Sequence, residues 1–397
     1  MGCDSSSCLD LKEKNITPNL NIIIIEPEDN TENIKLTNQT YQKIKSIGKG
    51  SYGEVFLIKS LETQKEYALK ETIITKDKYV FLYSSMNEIN ILSKIDNPFI
   101  VSLRCAFKNK VDEKTEKLNI IMDYVDNGDL NKLLISYRND EKYFEENRLL
   151  NWLFQLCLAL CYLKEKEIIH RDIKPSNIFL MADDTIKLGD FGISKKVQIS
   201  SSNNKIFLGT PQYTAPEIIT QKDHSYNADI WSLGITFLQL ISLKFPFKGE
   251  NNDEIFENIL KRNFNSLLLN KNKTGFNDNI SLKYSKNFID LINSMISLDP
   301  EERPCIKDIL RNNMIKQRME SYLKENNFDE NEVINNINDI NKKINEYDSI
   351  NIVNLPEKER LDKVKNNKYF RKKRDFLKKL IIINNSLKTD FKTIEVE

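Results

Sequence analysis

The sequence lacks any apolar run long enough to cross a lipid bilayer. A membrane-spanning helix needs about 18 or more consecutive apolar residues, and no stretch of the 397 residues meets that requirement. Met1 and Gly2 are followed by polar residues, whereas a secretory signal continues into an apolar core. We therefore expect a chain that does not cross a membrane by itself.

Cysteine, histidine and net charge are also scarce. The six cysteines lack paired C-x-x-C spacing, and two histidines are too few for a His-rich metal site. Lys and Arg total 59 against 58 for Asp and Glu, so no overall field attracts a polyanion. These features favour a reduced cytoplasmic protein, and we expect no nucleic-acid partner.

What is present indicates three regions. Residues 1–40 are rich in Ser, Asn and Asp and are predicted to be a flexible leader. Residues 41–314 carry the regular patterns described next. Residues 315–397 are rich in Asn, Lys and Ile, and we expect a partly helical tail.

Hydrophobic periodicity places both strands and helices in residues 41–314, so the predicted fold class is α+β. Short strand-like runs and one helical stretch predict a small sheet with a single helix: strands Tyr41–Ile47, Glu54–Lys59, Glu66–Lys70 and Leu118–Asp123, and the helix between Tyr79 and Lys94. From Leu130 to Met314 helical periodicity dominates, most clearly over Leu149–Leu163. We expect two lobes, the second larger and mainly helical.

A glycine-rich segment, Gly48-Lys49-Gly50-Ser51-Tyr52-Gly53, lies between the first two predicted strands. Its glycines allow a tight turn that brings backbone N–H groups close to phosphates. An ordinary glycine-rich hairpin is the alternative. A dinucleotide-binding motif is excluded because no helix is predicted directly after Gly53.

Further motifs follow in a fixed order along the chain: Tyr67-Ala68-Leu69-Lys70, Glu88, His170-Arg171-Asp172 with Lys174 and Asn177, Asp190-Phe191-Gly192, and Ala215-Pro216-Glu217. Together with the glycine-rich segment, this set resembles the protein-kinase signature in order, residue types and approximate spacing. Each motif alone has a structural alternative, but the ordered set does not arise by chance. The resemblance implies a two-lobed kinase fold with ATP and Mg²⁺ as cofactors.

The chemistry of phosphoryl transfer requires these residue types. A cation on the phosphates and hard oxygen ligands for Mg²⁺ neutralise the transferring group. We expect Lys70 to supply the cation, Glu88 to hold Lys70, and Asp190 with Asn177 to bind the metal. Asp172 is expected to accept the proton of the attacking hydroxyl, and Lys174 to reach the transferring phosphate. Lys174 also resembles the Ser/Thr class.

The resemblance also implies the remaining contacts of the nucleotide. Met122 falls at the gatekeeper position, and the backbones of Asp123 and Val125 would bond the adenine edge. The side chains of Val55, Ala68 and Phe179 would enclose the ring. The full implied ATP-binding set is Ile47, Gly48, Lys49, Gly50, Ser51, Tyr52, Gly53, Val55, Ala68, Lys70, Asp123, Val125 and Phe179. Asp229 resembles the aspartate that braces the catalytic loop, and Arg303 the partner of Glu217.

Within kinases, the sequence around the catalytic loop is similar to the NIMA-related family, notably Asn177-Ile178-Phe179-Leu180 and Leu188-Gly189-Asp190-Phe191-Gly192-Ile193. This implies a Ser/Thr kinase acting on proteins, in cell-cycle, centrosomal or ciliary signalling. The alternative is an inactive kinase-fold scaffold, against which all of Lys70, Glu88, Asp172, Asn177 and Asp190 are retained. Dual specificity toward tyrosine is a further alternative, disfavoured by Lys174 and Thr210.

Two kinds of regulation are suggested by local sequence. Arg171 can pair with a phosphate on the activation segment, with Ser200, Ser201 and Ser202 as the nearest candidates and a plain Ser-rich loop as the alternative. Thr210 is expected to bond Asp172 and Lys174 and so to select hydroxyl substrates.

The N-terminus, Met1-Gly2-Cys3-Asp4-Ser5-Ser6, fits an N-myristoylation pattern. Gly2 is the candidate myristoylation site and Cys3 a candidate palmitoylation site. One acyl chain anchors a protein marginally and two anchor it firmly. The pattern therefore predicts membrane association on the cytosolic face, with a chance match as the alternative.

Overall fold

The computed structural model describes residues 40–50, 53–74, 79–112, 115–196, 209–222, 225–264 and 278–325. The first lobe is an antiparallel sheet with one helix, α1 (Tyr79–Leu92). Its strands have the spatial order β1-β2-β3-β5-β4: β1 (Tyr41–Gly50), β2 (Gly53–Ser60), β3 (Glu66–Ile74), β4 (Leu103–Lys110) and β5 (Glu116–Asp123). The expected small sheet with one helix is therefore confirmed.

Strand β4 is the one member of this sheet that the sequence patterns did not predict. Its sequence, LRCAFKNK, mixes charged and apolar residues without clean alternation. The strand forms because β5 pairs along its whole length and neutralises its charges, with Arg104 Nε bonded to Asp123 Oδ1 at 2.5 Å and Lys108 Nζ to Glu116 Oε2 at 2.6 Å.

The two faces of the sheet enter different cores. One face contributes to a small apolar cluster that includes Ile58, Tyr67, Leu69 and Ile121. The opposite face carries Ile120, which packs into the main core shared with α1 and the second lobe. Because successive side chains of a strand point to opposite faces, Ile120 and Ile121 separate the two clusters.

The second lobe is mainly helical, as expected: α2 (Leu130–Asn139), α3 (Glu146–Glu165), α4 (Pro216–Ile219), α5 (Tyr226–Ser242), α6 (Asn252–Leu260), α7 (Asp278–Lys283), α8 (Lys286–Met295), α9 (Ile306–Arg311) and α10 (Asn313–Glu325). Helices α3 and α5 form its centre and are buried along most of their lengths. Across the described ranges, no helix combines the length and the apolar character that a membrane span requires.

Four short strands carry the loops of the site. β6 (Ile168–Ile169) pairs with β9 (Lys195–Lys196), and β7 (Ile178–Leu180) pairs with β8 (Ile186–Leu188). The loop between β6 and β7 contains Asp172, and the loop between β8 and β9 contains Asp190. These two pairs therefore hold the two loops side by side.

Helix α10 begins inside the predicted domain and continues past its predicted end at Met314. Ile315 and Met319 are fully buried, at 0% and 1% exposure, in the main core. Tyr322 packs edge-on against Phe99 and Phe154, with ring centroids 6.4 and 5.5 Å away. The domain boundaries stay a prediction, but residues 315–322 pack as part of the second lobe.

Candidate active site

The glycine-rich segment forms the β1–β2 hairpin. Gly50 pairs with Gly53 across it, so β1 extends three residues beyond its expected end at Ile47. Gly53 has φ +149°, and a Cβ there would lie 2.1 Å from the backbone oxygen of Glu71 on β3. Only glycine permits this approach. Ser51 and Tyr52, which come between them in the sequence, lie outside the described residues.

Lys70 connects three elements. Its Nζ donates to Glu88 Oε2 of α1 at 2.6 Å and lies 3.7 Å from Asp190 Oδ1. The Glu88 side chain is 1% exposed and that of Lys70 12%, so this ion pair is sheltered from water. The structure thus brings together β3, α1 and the Asp190 loop, and the sequence analysis had expected the pairing of Lys70 with Glu88.

The charges of Lys70 and Asp190 are each stabilised by the opposite charges around them. Burial acts to lower the pKa of Lys70, but the carboxylates of Glu88 and Asp190 outweigh it and hold the pKa above its ordinary value. Burial acts to raise the pKa of Asp190, but Lys70, Lys174 and His170 outweigh it and hold the pKa below its usual value. Lys70 therefore stays cationic and Asp190 anionic at neutral pH.

Asp172 is held by three donors. Lys174 Nζ and Asn177 Nδ2 donate to its Oδ2 at 2.6 and 2.9 Å, and Thr210 Oγ1 donates to its Oδ1 at 2.9 Å. Lys174 Nζ also donates to Thr210 Oγ1 at 2.6 Å. The predicted bonds of Thr210 with both Asp172 and Lys174 are thus present in the geometry.

The backbone before Asp172 is braced from the core of the second lobe. Asp229, on α5 and 4% exposed, accepts the N–H groups of His170 and Arg171 at 2.8 and 2.9 Å. Arg171 has φ 74°, a conformation that costs a non-glycine residue energy and needs support from its surroundings. The Asp229 carboxylate supplies that support.

A second buried pair fixes the end of the activation segment. Arg303 donates from two nitrogens to the two carboxylate oxygens of Glu217 at 2.8 and 2.7 Å. Both side chains are almost fully buried, and the Arg303 guanidinium lies 5.2 Å from the ring centroid of Trp231. The pairing of Glu217 with Arg303 matches the contact that the resemblance implied.

The residues expected around adenine line the junction of the lobes. Val55 pairs with Lys70 across β2 and β3, and Ala68 pairs with Met122 across β3 and β5. Asp123 ends β5, and Val125, two residues further on, is buried at 8% exposure. Phe179 lies on β7, and a Cβ at Gly189 would lie 2.7 Å from its ring.

Several predicted residues cannot be placed. Ser200, Ser201, Ser202, Gly2 and Cys3 lie outside the described residues. Their predicted roles in regulation and acylation therefore stay predictions.

The structure also places two residues at the site that sequence reasoning missed. Ser84 and Asn87 of α1 bond backbone carbonyls of the loop that carries Asp190. With Glu88 they follow an i, i+3, i+4 spacing, so all three share one helix face. That spacing relative to Glu88 is the signal that could have identified them.

The donor set at Asp190 and Asn177 suits Mg²⁺. The Asp190 side chain is 35% exposed, which leaves it accessible from the cleft. Because Asn177 Nδ2 bonds Asp172, a metal ligand from Asn177 would be its hard oxygen Oδ1. In the part of the chain that is described, no cluster of three or more His, Cys, Asp or Glu could hold a metal. Mg²⁺ needs only one or two such ligands when substrate phosphates supply the others.

Comparison with known proteins agrees with this geometry. The family model described as protein kinase domain matches residues 41–315. The chain is 32% identical over 285 residues to the mouse serine/threonine-protein kinase Nek1, covering 72% of this chain and 22% of that protein. It is 36% identical over 307 residues to the probable serine/threonine-protein kinase nek3 of Dictyostelium discoideum, covering 75% and 26%.

A relative that is not named as a Nek kinase has the same percentage identity to this chain as nek3 does. The 3-phosphoinositide-dependent protein kinase B of Dictyostelium discoideum is 36% identical over 282 residues, covering 69% of this chain and 28% of that protein. The chain thus spans about a quarter of the length of each of these three relatives. The expected similarity to NIMA-related kinases is confirmed, and the chain belongs to the protein kinase family.

Proposed function

We propose that the protein transfers the γ-phosphoryl group of ATP, with Mg²⁺, to Ser and Thr hydroxyls of other proteins. The observation that carries this proposal is the hydrogen-bonded cluster of Asp172, Lys174, Asn177 and Thr210. It places a base, a cation and a metal ligand within reach of one another, which phosphoryl transfer requires. Nothing in the described site favours the inactive-scaffold alternative.

Each charged group has a role in this reaction. Lys70, fixed by Glu88, binds the α- and β-phosphates, and Asp190 and Asn177 bind Mg²⁺. The metal supplies charge neutralisation on the phosphate oxygens. Because Lys70 stays cationic and Asp190 anionic at neutral pH, the site presents both charges before the nucleotide binds.

Asp172 accepts the proton of the attacking hydroxyl. Its two carboxylate oxygens are each held by donors, which fixes the direction from which the hydroxyl approaches. Lys174 lies 2.6 Å from Asp172 and balances charge on the transferring group. Thr210 holds Lys174 and Asp172 in this arrangement and thereby contributes to the selection of Ser and Thr.

We assign the nucleotide contacts from the family resemblance and the positions given above. The hairpin residues Ile47 to Gly53 cover the phosphates, and the backbones of Asp123 and Val125 bond the adenine edge. Val55, Ala68 and Phe179 enclose the ring. Their positions on neighbouring strands and at the lobe junction support this assignment.

The direct test is Mg²⁺-dependent transfer from labelled ATP to generic Ser/Thr acceptor proteins. The parent chain is compared with Asp172→Asn and with a matched control, Asp140→Asn, at an exposed position after α2. We expect transfer by the parent and the control, and its loss in Asp172→Asn and after chelation of Mg²⁺. Equal transfer by all three proteins would refute the role of Asp172. No transfer by a parent that binds ATP and carries a phosphorylated activation segment would refute the activity.

Regulation by phosphorylation is part of the proposal. Arg171 pairs with a phosphate on the activation segment, and Ser200, Ser201 and Ser202 are the candidate acceptors. Mass spectrometry of the active protein should find phosphate in this triplet, and replacing the three serines with alanine should lower transfer. Full activity of the triple variant would show that the triplet is only a Ser-rich loop.

Acylation of Gly2 and Cys3 is proposed on the N-terminal sequence alone, with attachment to the cytosolic face of a membrane as its result. Cell fractionation of the parent and of Gly2→Ala should find the parent on membranes and the variant in the cytosol. Identical distributions would refute acylation.

A role in cell-cycle, centrosomal or ciliary signalling rests on the NIMA-related resemblance, and localisation through the cell cycle tests it.

A further inference from the structure

Asn87, on α1, bonds the loop that follows Asp190. Its Nδ2 donates to Ser194 O at 2.7 Å and lies 3.3 Å from Phe191 O. Phe191 and Ser194 are 104 and 107 residues further along the chain than Asn87. One side chain therefore contacts both ends of the turn that begins directly after Asp190.

Ser84 strengthens this connection from one helical turn earlier. Its Oγ donates to Gly192 O at 2.9 Å, and the side chain is buried, at 8% exposure. A Cβ at Gly192 would lie 2.6 Å from Ser84 Oγ, so glycine is needed for the approach. Close packing and two sets of hydrogen bonds thus join α1 to this loop.

The same helix is tied to the sheet by separate contacts. Glu88 bonds Lys70, and Ser85 Oγ lies 3.2 Å from Thr72 Oγ1. Helix α1 therefore has one set of bonds to β3 and another to the loop after Asp190. A shift of α1 relative to that loop breaks hydrogen bonds of buried groups, which carries a desolvation cost.

We propose that Asn87, assisted by Ser84, is a positioning residue that fixes Asp190 for binding Mg²⁺. Asn87 acts through the backbone after Asp190 and touches neither nucleotide nor metal. The inference rests on the proposed kinase function, because it assigns the purpose of the contact to the metal ligand of that reaction. It adds to the Lys70–Glu88 pair a second, uncharged bond between α1 and the site.

Asn87→Asp and Asn87→Ala test the proposal. Aspartate keeps the shape but presents carboxylate oxygens to carbonyl acceptors, and alanine removes the donor while favouring the helix. The matched controls are Asn90→Asp and Asn90→Ala, because Asn90 is exposed on the same helix and accepts from Lys94 Nζ at 2.6 Å. Ser84→Ala is a milder variant that removes one donor.

Two measurements do not depend on turnover. Calorimetric titration with ATP over a range of Mg²⁺ concentrations should show about tenfold weaker binding at limiting Mg²⁺ for the Asn87 variants, the equilibrium equivalent of one to two hydrogen bonds. Binding without Mg²⁺ should match the parent. Amide hydrogen exchange in residues 190–194 should be faster in the Asn87 variants, with a smaller effect in Ser84→Ala and none in the Asn90 variants.

Identical Mg²⁺ dependence and exchange in the Asn87 and Asn90 variants would overturn the inference. So would an equal loss of ATP binding with and without Mg²⁺, since that indicates general damage. If Asn87→Asp does not fold, the same contrasts in Ser84→Ala decide the question. Absence of transfer by the parent refutes the proposed function instead. The differences in ATP binding and in amide hydrogen exchange between the Asn87 and Asn90 variants can still be measured in that case.

Discussion

Replacing Thr210 with valine tests the geometry of the site most directly. Valine keeps the branched shape of threonine and removes only the hydroxyl, so the packing is preserved. The hydroxyl donates to Asp172 Oδ1 at 2.9 Å and accepts from Lys174 Nζ at 2.6 Å. Its loss leaves Asp172 and Lys174 each with one polar contact fewer.

The size of the effect follows from these contacts. A hydrogen bond to a charged group contributes about 1.5 to 3 kcal/mol. Each 1.36 kcal/mol corresponds to a tenfold change in rate, so losing one such bond in the transition state lowers kcat by about 10- to 150-fold. The two bonds share one hydroxyl, and we do not expect their effects to add.

The assay is steady-state transfer to a protein with Ser and Thr acceptors, with kcat and the KM for ATP measured separately. We expect Thr210→Val to lower kcat with little change in the KM for ATP, and Thr210→Ser to retain most of the activity. The matched control is Thr220→Val, because the Thr220 hydroxyl donates to backbone oxygens of Pro216 and Glu217 in α4. Parent-like turnover in Thr210→Val would show that the reasoning is wrong.

Three other predictions concern binding and stability. Asp190→Asn should abolish the Mg²⁺-dependent part of ATP binding in calorimetry, and unchanged Mg²⁺ dependence would exclude Asp190 as a ligand. Glu217→Gln should cost about 3 to 5 kcal/mol in denaturant unfolding because it leaves buried Arg303 without its charged partner; a cost below about 1 kcal/mol would contradict this. Met319→Ala should lower the free energy of unfolding by about 2 to 5 kcal/mol because it leaves a cavity. Glu320→Ala, at an exposed position of the same helix, should change it by less than about 0.5 kcal/mol. Equal effects would show that α10 is not part of the core.

Sequence reasoning predicted most of the first lobe because its strands carry local patterns. β2 and β3 formed where expected, and burial alternates along the first half of β3, from Glu66 to Lys70. β4 lacked such a pattern, and no local signal indicates that its Arg104 and Lys108 pair with carboxylates of β5. The burial of Ile315 and Met319 in α10 was also missed, because it depends on packing against distant parts of the chain.

Short sequence motifs were enough to predict the functional groups of the candidate site. Lys70, Glu88, Asp172, Asn177 and Asp190 were identified because phosphoryl transfer needs those residue types in short motifs of fixed order. Some contacts of these groups, such as that of Lys70 with Glu88, were expected from the family resemblance, but other contacts at the site became visible only in the tertiary structure.

Contacts across long stretches of chain show the difference. Asn87 meets Ser194 across 107 residues, and Ser84 meets Gly192 across 108. Local patterns cannot specify such pairs, because each depends on how helices and strands pack around a shared core. The sequence therefore determined the functional groups, and the packing of the two lobes decided their geometry.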